Sequence, residues 1–207
     1  PRAAGVNAVN LRDGDELVEA LLTNGNEEIL IAARDGRCCR FNETDARPMG
    51  RNSTGVRGIN LEDDDIVVGA INYNPSAEDA SEHTVLVVSE NGFGKRTDFD
   101  EYRITRRGGK GVKTINITEK TGKLVAIKNV TENNDLMIIE KSGLTIRMSV
   151  SDIRLAGRAT QGVKLINIKE GDSIAAVSTV NRATDSEESE GQGDPQAQSE
   201  DRPEQQA

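Results

Sequence analysis

Two short anchors recur along this chain in fixed register, and this constrains its fold more than any other feature. The first is Gly5-Val6-Asn7-Ala8-Val9-Asn10-Leu11, which returns at Gly55-Val56, Gly111-Val112 and Gly162-Val163 with spacings of 50, 56 and 51 residues. The second is Gly36 to Arg40, repeated at Gly92 to Arg96 and Gly143 to Arg147, and each of these glycines stands 19 residues before the next Gly-Val. Chance does not hold two anchors in register three times, so the chain is built of repeats ending near residues 11, 61, 117 and 168. The extra residues of the longer unit fall around Asn74 to Glu82, a polar stretch with Pro75, and read as a loop insertion.

Each unit carries four short strand signals. The first is Glu16 to Leu22, matched by Ile66 to Ile71 and Leu124 to Ile127. The second is Ile29 to Ala33, matched by Val85 to Val88 and Leu136 to Ile139. The third follows the turns Asp35-Gly36, Asn91-Gly92 and Ser142-Gly143, and the fourth is the Gly-Val strand. Four strands per unit of about 50 residues predict an all-β, propeller-like array of four-stranded blades, with no helix longer than about two turns up to residue 182. Alternation along the third strand turns Phe93, Leu144, Cys39, Ile146, Phe41 and Met148 toward the core. It places Cys38, Arg40, Arg96 and Arg147 on the opposite face, with Cys38 outward.

The core must be built from Val, Ile and Leu, because the chain has no Trp, two Tyr and three Phe. No apolar run is long enough to span a bilayer, and no signal peptide is visible. With a start at Pro1 rather than Met, the chain is expected to be a piece of a longer protein. The two cysteines are adjacent and unsuited to bridging each other, which suits a reduced, cytoplasmic protein. The net charge of −9 is unevenly spread: residues 185–207 hold eight acids and one base, leaving −2 for the rest. From about Ala183 the composition is that of a disordered acidic tail, so the chain divides into a folded part, 1–182, and a tail, 183–207. A tethered tail of −7 can compete with phosphate for a basic surface, or serve only solubility.

The basic charge precedes each Gly-Val strand. From Arg103 to Lys113 there are five cations and no acid: Arg103, Arg106, Arg107, Lys110 and Lys113. Arg47, Arg103 and Arg154 lie eight residues before the Gly of Gly-Val, and Arg51, Arg107 and Arg158 lie four before it. Arg57, Lys113 and Lys164 follow it by two. Cations repeated in register form a row along one rim, which fits a polyanion lying across several blades. Gly108, Gly109 and Gly111 let backbone and N–H groups approach phosphate. The stretch is not a P-loop, since Gly111 stands where Ser or Thr must hold magnesium. His83 is the only histidine and sits in a loop. Asp63-Asp64-Asp65 aligns with the turn Asp13-Gly14-Asp15 and reads as solvated. Tyr73 and Tyr102 lie in no nucleophile context, and no nucleophile–base pair is present.

Thr105-Arg106-Arg107-Gly108-Gly109-Lys110-Gly111 resembles the box of the bacterial gyrase A subunit, Gln-Arg-Arg-Gly-Gly-Lys-Gly, with Thr105 in place of Gln. The repeats around it are similar to that family's C-terminal domain over roughly residues 1 to 182. The resemblance implies a β-pinwheel, a propeller-like disc whose blades exchange strands and bend double-stranded DNA around a basic rim. It implies a role in ATP-dependent negative supercoiling by a type II topoisomerase, in which the partners are the gyrase B subunit plus a second copy of the A subunit. ATP and Mg2+ would be used by other parts of that enzyme; no cofactor is expected in this chain, nor a membrane. The location implied is the bacterial cytoplasm, at the nucleoid. Two features depart from the family's pattern. The box lies in the third of four copies, and about three complete blades are present where six are usual. Two other readings stand beside this one: the topoisomerase IV A subunit, whose boxes are degenerate, and a propeller serving as a protein-interaction scaffold.

Overall fold

The computed structural model describes residues 5–182; the acidic tail, with the disorder expected of it, lies outside the described residues. Three hairpins organise the chain: β1 (Glu28–Ala33) with β2 (Arg37–Asn42), β4 (Thr84–Ser89) with β5 (Phe93–Asp98), and β8 (Asn134–Glu140) with β9 (Thr145–Ser149). Between and after them come β3 (Val67–Tyr73), β7 (Leu124–Val130) and β11 (Ile174–Asn181), and two-residue strands β6 (Val112–Lys113) and β10 (Val163–Lys164). The only helical elements among the described residues are three-residue 3-10 turns. Each hairpin closes at the expected glycine, whose amide donates to Ala33, Ser89 or Glu140. These glycines hold φ of 84°, 80° and 90°, a region that L side chains avoid.

The blade is not the sequence repeat. The first sheet runs β3-β1-β2-β6 and the second β10-β5-β4-β7, all antiparallel. Each hairpin is thus flanked by the first and last strands of the following repeat. The third sheet, β11-β8-β9, has its hairpin and one flanking strand. This exchange explains where the expected strands fail. Glu16 to Leu22 is not a strand and is largely exposed, and Gly5-Val6 and Gly55-Val56 form none either. The rule of the other blades would pair these segments with the hairpin of the repeat before them, and no such hairpin stands among the described residues. A strand without an edge to pair with leaves its N–H and C=O groups to water.

The faces of the third strand also depart from simple alternation. Cys38, expected outward, is fully buried, as is Cys39, and Arg40 and Arg96 are only 7% exposed. Alternation along a strand separates inside from outside only when one face meets solvent; here a sheet is covered on both faces. Cys38 joins Leu30, Ile71, Val85, Val87, Leu124 and Ile127 in the core between the first and second sheets. Leu86 and Val88 point the other way, into a second core with Leu136, Ile138 and Ile174. Cys39 and Phe41 pack with Ile59 on the far face of the first sheet. Fully burying each such aliphatic side chain stabilises the fold by about 1.5–3 kcal/mol. Conversely Leu144, expected in the core, is 51% exposed, whereas its counterpart Phe93 is 7% exposed. Ile166 and Ile168 lie over Gly92, but nothing lies within 4 Å of the Cβ position at Gly143.

Candidate nucleic-acid interface

The basic segment is held to the preceding blade by backbone bonds that repeat from unit to unit. Ile104 bridges in parallel to Arg40, and Leu155 bridges to Arg96. Thr105 donates to the Arg40 carbonyl from its amide at 2.8 Å and from its hydroxyl at 3.1 Å. That hydroxyl also lies 3.5 Å from Cys39 Sγ. Thr105 thus anchors the segment to β2. At the far end Gly111 has φ +72°, and its Cβ position falls 2.5 Å from the Cys38 carbonyl oxygen. Gly162 has the same relationship to the Gly94 carbonyl, also at 2.5 Å. Only glycine lets the chain turn into the two-residue strand at that separation.

The turn in the middle rests on the Gly-Val segment of the previous repeat. The amide of Asn60 donates to the Gly109 carbonyl at 2.9 Å, and Gly108 donates back to Gly58 at 2.7 Å. Asn10 reaches Ser53 in the same way at 3.1 Å, and Asn116 reaches Thr160 at 3.0 Å. The three turns are therefore stacked in chain order, each on the segment before it. The asparagine is visible in every Gly-Val copy, but nothing local reveals that its amide meets the next repeat.

The expected site residues divide into two groups. Arg47, Arg51, Arg103, Arg106 and Arg154 are exposed, and their side chains make no hydrogen bond or ion pair among the described residues. Lys164 is exposed on the short strand β10. Arg57 and Lys113 are exposed and reach Asn60 and Asn116 at 3.3 and 3.2 Å. Lys110 is paired with Glu62 at 3.3 Å with both side chains more than 60% exposed, an ion pair of little strength. By contrast Arg107 and Arg158 act as clasps between repeats. Arg107 donates to the carbonyls of Asp45 and Arg57, and Arg158 to those of Glu101 and Lys113. Those acceptors occupy equivalent places in successive repeats.

Three buried cations support the site. Arg40 pairs with Glu28 and donates to the carbonyls of Phe99 and Tyr102 in the next blade. Arg96 bonds the Ile153 carbonyl at 2.8 Å and Glu132 at 3.1 Å. Lys95 stands where the other hairpins carry Cys39 and Ile146; it is fully buried and donates to the Gly157 carbonyl. Burial pulls its ammonium down to about 8, opposed by Glu101 and reinforced by Arg158. The tyrosines belong to the core. Tyr73 stacks on Phe99 with centroids 3.8 Å apart, and Tyr102 bonds Thr114, with burial raising its hydroxyl above the ordinary range. His83 ties the insertion to β7 through Asn129 at 2.7 Å. Asp63-Asp64-Asp65 is a turn, with Asp65 accepting from the Asp35 amide at 3.1 Å. Among the described residues no helix is long and apolar enough to cross a membrane.

The fold and the stacked basic turns define a strand-exchanging β-propeller with a cationic edge. The family model described as the DNA gyrase C-terminal domain, beta-propeller, matches residues 1–24, 27–74, 83–131 and 134–181, and the chain belongs to that family. The DNA gyrase A subunit of Staphylococcus epidermidis is 44% identical over 181 residues, 87% of this chain and 20% of that protein. Its counterpart in Ureaplasma parvum is 43% identical over 85% of this chain, again 20% of its own length. The chain thus spans about one fifth of the curated relatives it matches. A solved DNA gyrase A C-terminal domain superposes with TM-score 0.75 at 25% identity, covering 86% of this chain and 59% of that one. A DNA topoisomerase IV C-terminal domain shares the fold, with TM-score 0.77 at 20% identity over 84% of this chain and 53% of that one. The relatives' names favour gyrase over the topoisomerase IV reading.

Proposed function

We propose that this chain binds double-stranded DNA across its stacked basic turns and wraps it, as part of a gyrase A subunit. The observation that carries the reading is the stacking itself. Each turn is fixed by the backbone of the repeat before it, so the cations at equivalent positions follow one another blade by blade. Arg103, Arg106, Lys110 and Lys113 of the box repeat are exposed beside the exposed Arg47, Arg51 and Arg57 of one neighbour and Arg154 and Lys164 of the other. Such a surface neutralises phosphates without reading bases, and a bent duplex lets it meet several blades. Within the whole enzyme, wrapping would present a crossed DNA segment for negative supercoiling. ATP and Mg2+ would act in other domains. The protein partners would be the gyrase B subunit plus a second copy of the A subunit. The setting would be the bacterial cytoplasm, at the nucleoid.

The test is DNA binding over a salt series, together with the linking number trapped when bound closed-circular DNA is relaxed by a type I topoisomerase. If the four exposed cations Arg103, Arg106, Lys110 and Lys113 each neutralise a phosphate, they contribute about −3 to −4 to the slope of log affinity against log salt. A change in trapped linking number accompanies wrapping. Affinity that is absent or insensitive to salt would leave the scaffold reading instead.

A further inference from the structure

A fully buried lysine with no carboxylate in contact is a costly arrangement, because an ammonium inside a protein loses its hydration. Lys95 is such a residue: its side chain has one hydrogen-bond partner, the backbone carbonyl of Gly157 in the next repeat. The first hairpin shows that the position has no need of charge. There Cys39 Sγ approaches the equivalent carbonyl, that of Arg106, at 3.8 Å. In the third hairpin the position is Ile146.

Around Lys95 the two repeats are tightly joined. Arg96 donates to the Arg154 carbonyl at 3.0 Å, and Ala156 donates back to Arg96 at 2.9 Å. Thr97 donates to the Ala156 carbonyl at 2.8 Å. The Arg158 amide donates to the Glu101 carboxylate at 3.0 Å, and its guanidinium reaches the Lys113 carbonyl. Lys95 therefore lies beneath the segment that carries Arg154 and Lys164 outward and that Arg158 clasps to the box repeat.

We infer that Lys95 is a positioning residue for the DNA-facing turn of the last repeat: through the Gly157 carbonyl it holds residues 154–164 in register with the box turn. This rests on the proposed DNA-binding role. A protonated Lys95 attracts the carbonyl as an ion to a dipole, and its charge adds to the field that a phosphate meets along the turn that carries Arg154 and Lys164. A neutral amine does neither. The charged groups facing it are Glu101, which favours the proton, and Arg158, which opposes it.

The sign follows from linkage. DNA is an anion, so it binds the protonated form better and raises the pKa of Lys95. Affinity is then fully present below about 8, the value burial gives Lys95 in the free protein, and declines as pH rises through it. If DNA raises that value by about half a unit to one unit, the decline is about three- to tenfold.

The experiment measures DNA affinity at constant ionic strength from pH 7 to 9.5 for the wild-type chain, Lys95→Met and Lys95→Gln. Amide-exchange protection at Ala156 and Asn116 is followed in parallel. The wild type is expected to lose affinity across pH 8. Lys95→Met is expected to bind several-fold more weakly at pH 7, with a flat profile and reduced protection at Ala156. Should Lys95→Met fail to fold, Lys95→Gln and the wild-type profile decide. Wild-type affinity, pH profile and protection in the substituted chain would overturn the inference. If the wild type binds no DNA at any salt, the DNA reading fails, and the amide protection still decides whether Lys95 holds the turn.

Discussion

Arg107 donates from its guanidinium to the backbone carbonyl of Arg57, fifty residues earlier in the chain. Arg158 makes the same bond to Lys113 at 2.8 Å. In both cases a basic residue of one repeat closes on the carbonyl of a basic residue in the repeat before it. Part of the cationic register that suggests a polyanion partner is therefore also structural, and neighbouring arginines of the box separate into two roles.

Arg106 and Arg107 should accordingly behave differently. Arg107→Ala loses two charge-assisted bonds to carbonyls and is expected to cost about 1–2 kcal/mol of stability. Arg106→Ala is expected to stay within about 0.5 kcal/mol of the wild type. It should nonetheless lower the magnitude of the DNA salt slope by about 0.9, because one fewer phosphate is neutralised. Thermal melts and salt titrations of both variants check this. Equal losses of stability would remove the distinction.

Arg40 and Arg147 occupy the same place in the first and third hairpins, but their surroundings differ. Arg40 and its partner Glu28 each have side chains 7% exposed, whereas Arg147, beside Asp135, is 57% exposed. Arg40→Ala strands a buried carboxylate and is expected to cost about 3–5 kcal/mol. Arg147→Ala is expected to cost no more than about 1 kcal/mol. Urea denaturation of the two variants gives the comparison directly.

Gly111 and Gly143 both hold positive φ, at 72° and 90°. An alanine at Gly143 meets open space, so its cost is the left-handed conformation alone, about 1–2 kcal/mol. At Gly111 the added methyl also falls 2.5 Å from the Cys38 carbonyl oxygen. Gly111→Ala should be clearly the more damaging, and amide exchange should show β6 released from β2. Similar melting temperatures for the two variants would mean that the approach to Cys38 is readily relaxed.

Glu140 is 2% exposed, and its Oε1 has no hydrogen-bond partner. Burial, and then the neighbouring Asp172, push its carboxyl above the ordinary 4.5. A carboxyl raised on folding favours the folded state when protonated and penalises it when ionised. Glu140→Gln is therefore expected to raise the melting temperature at pH 7. The gain should fade below about pH 4.5, where the glutamate holds its proton in both states. A gain of the same size at pH 4 and pH 7 would point to packing rather than charge.

Much of this protein follows from its sequence alone because much of it is local. Asp35-Gly36, Asn91-Gly92 and Ser142-Gly143 make hairpins wherever they stand, since turn conformation depends on the residues within it. The in-register arginines and the box are likewise read directly from the chain. Tertiary structure decided which edges meet. A strand such as Val67–Tyr73 carries the same local signal as Glu16 to Leu22, yet only the first has a hairpin edge to complete. Burial was decided in the same way: Cys38 and Arg40 lie on a face that alternation alone would give to solvent, and it is the next blade that covers it. Backbone turns are set by neighbours in sequence, whereas strand partners, buried charges and the Asn60–Gly109 contact are set by neighbours in space. Those spatial neighbours exist only once one repeat has closed around the hairpin of another.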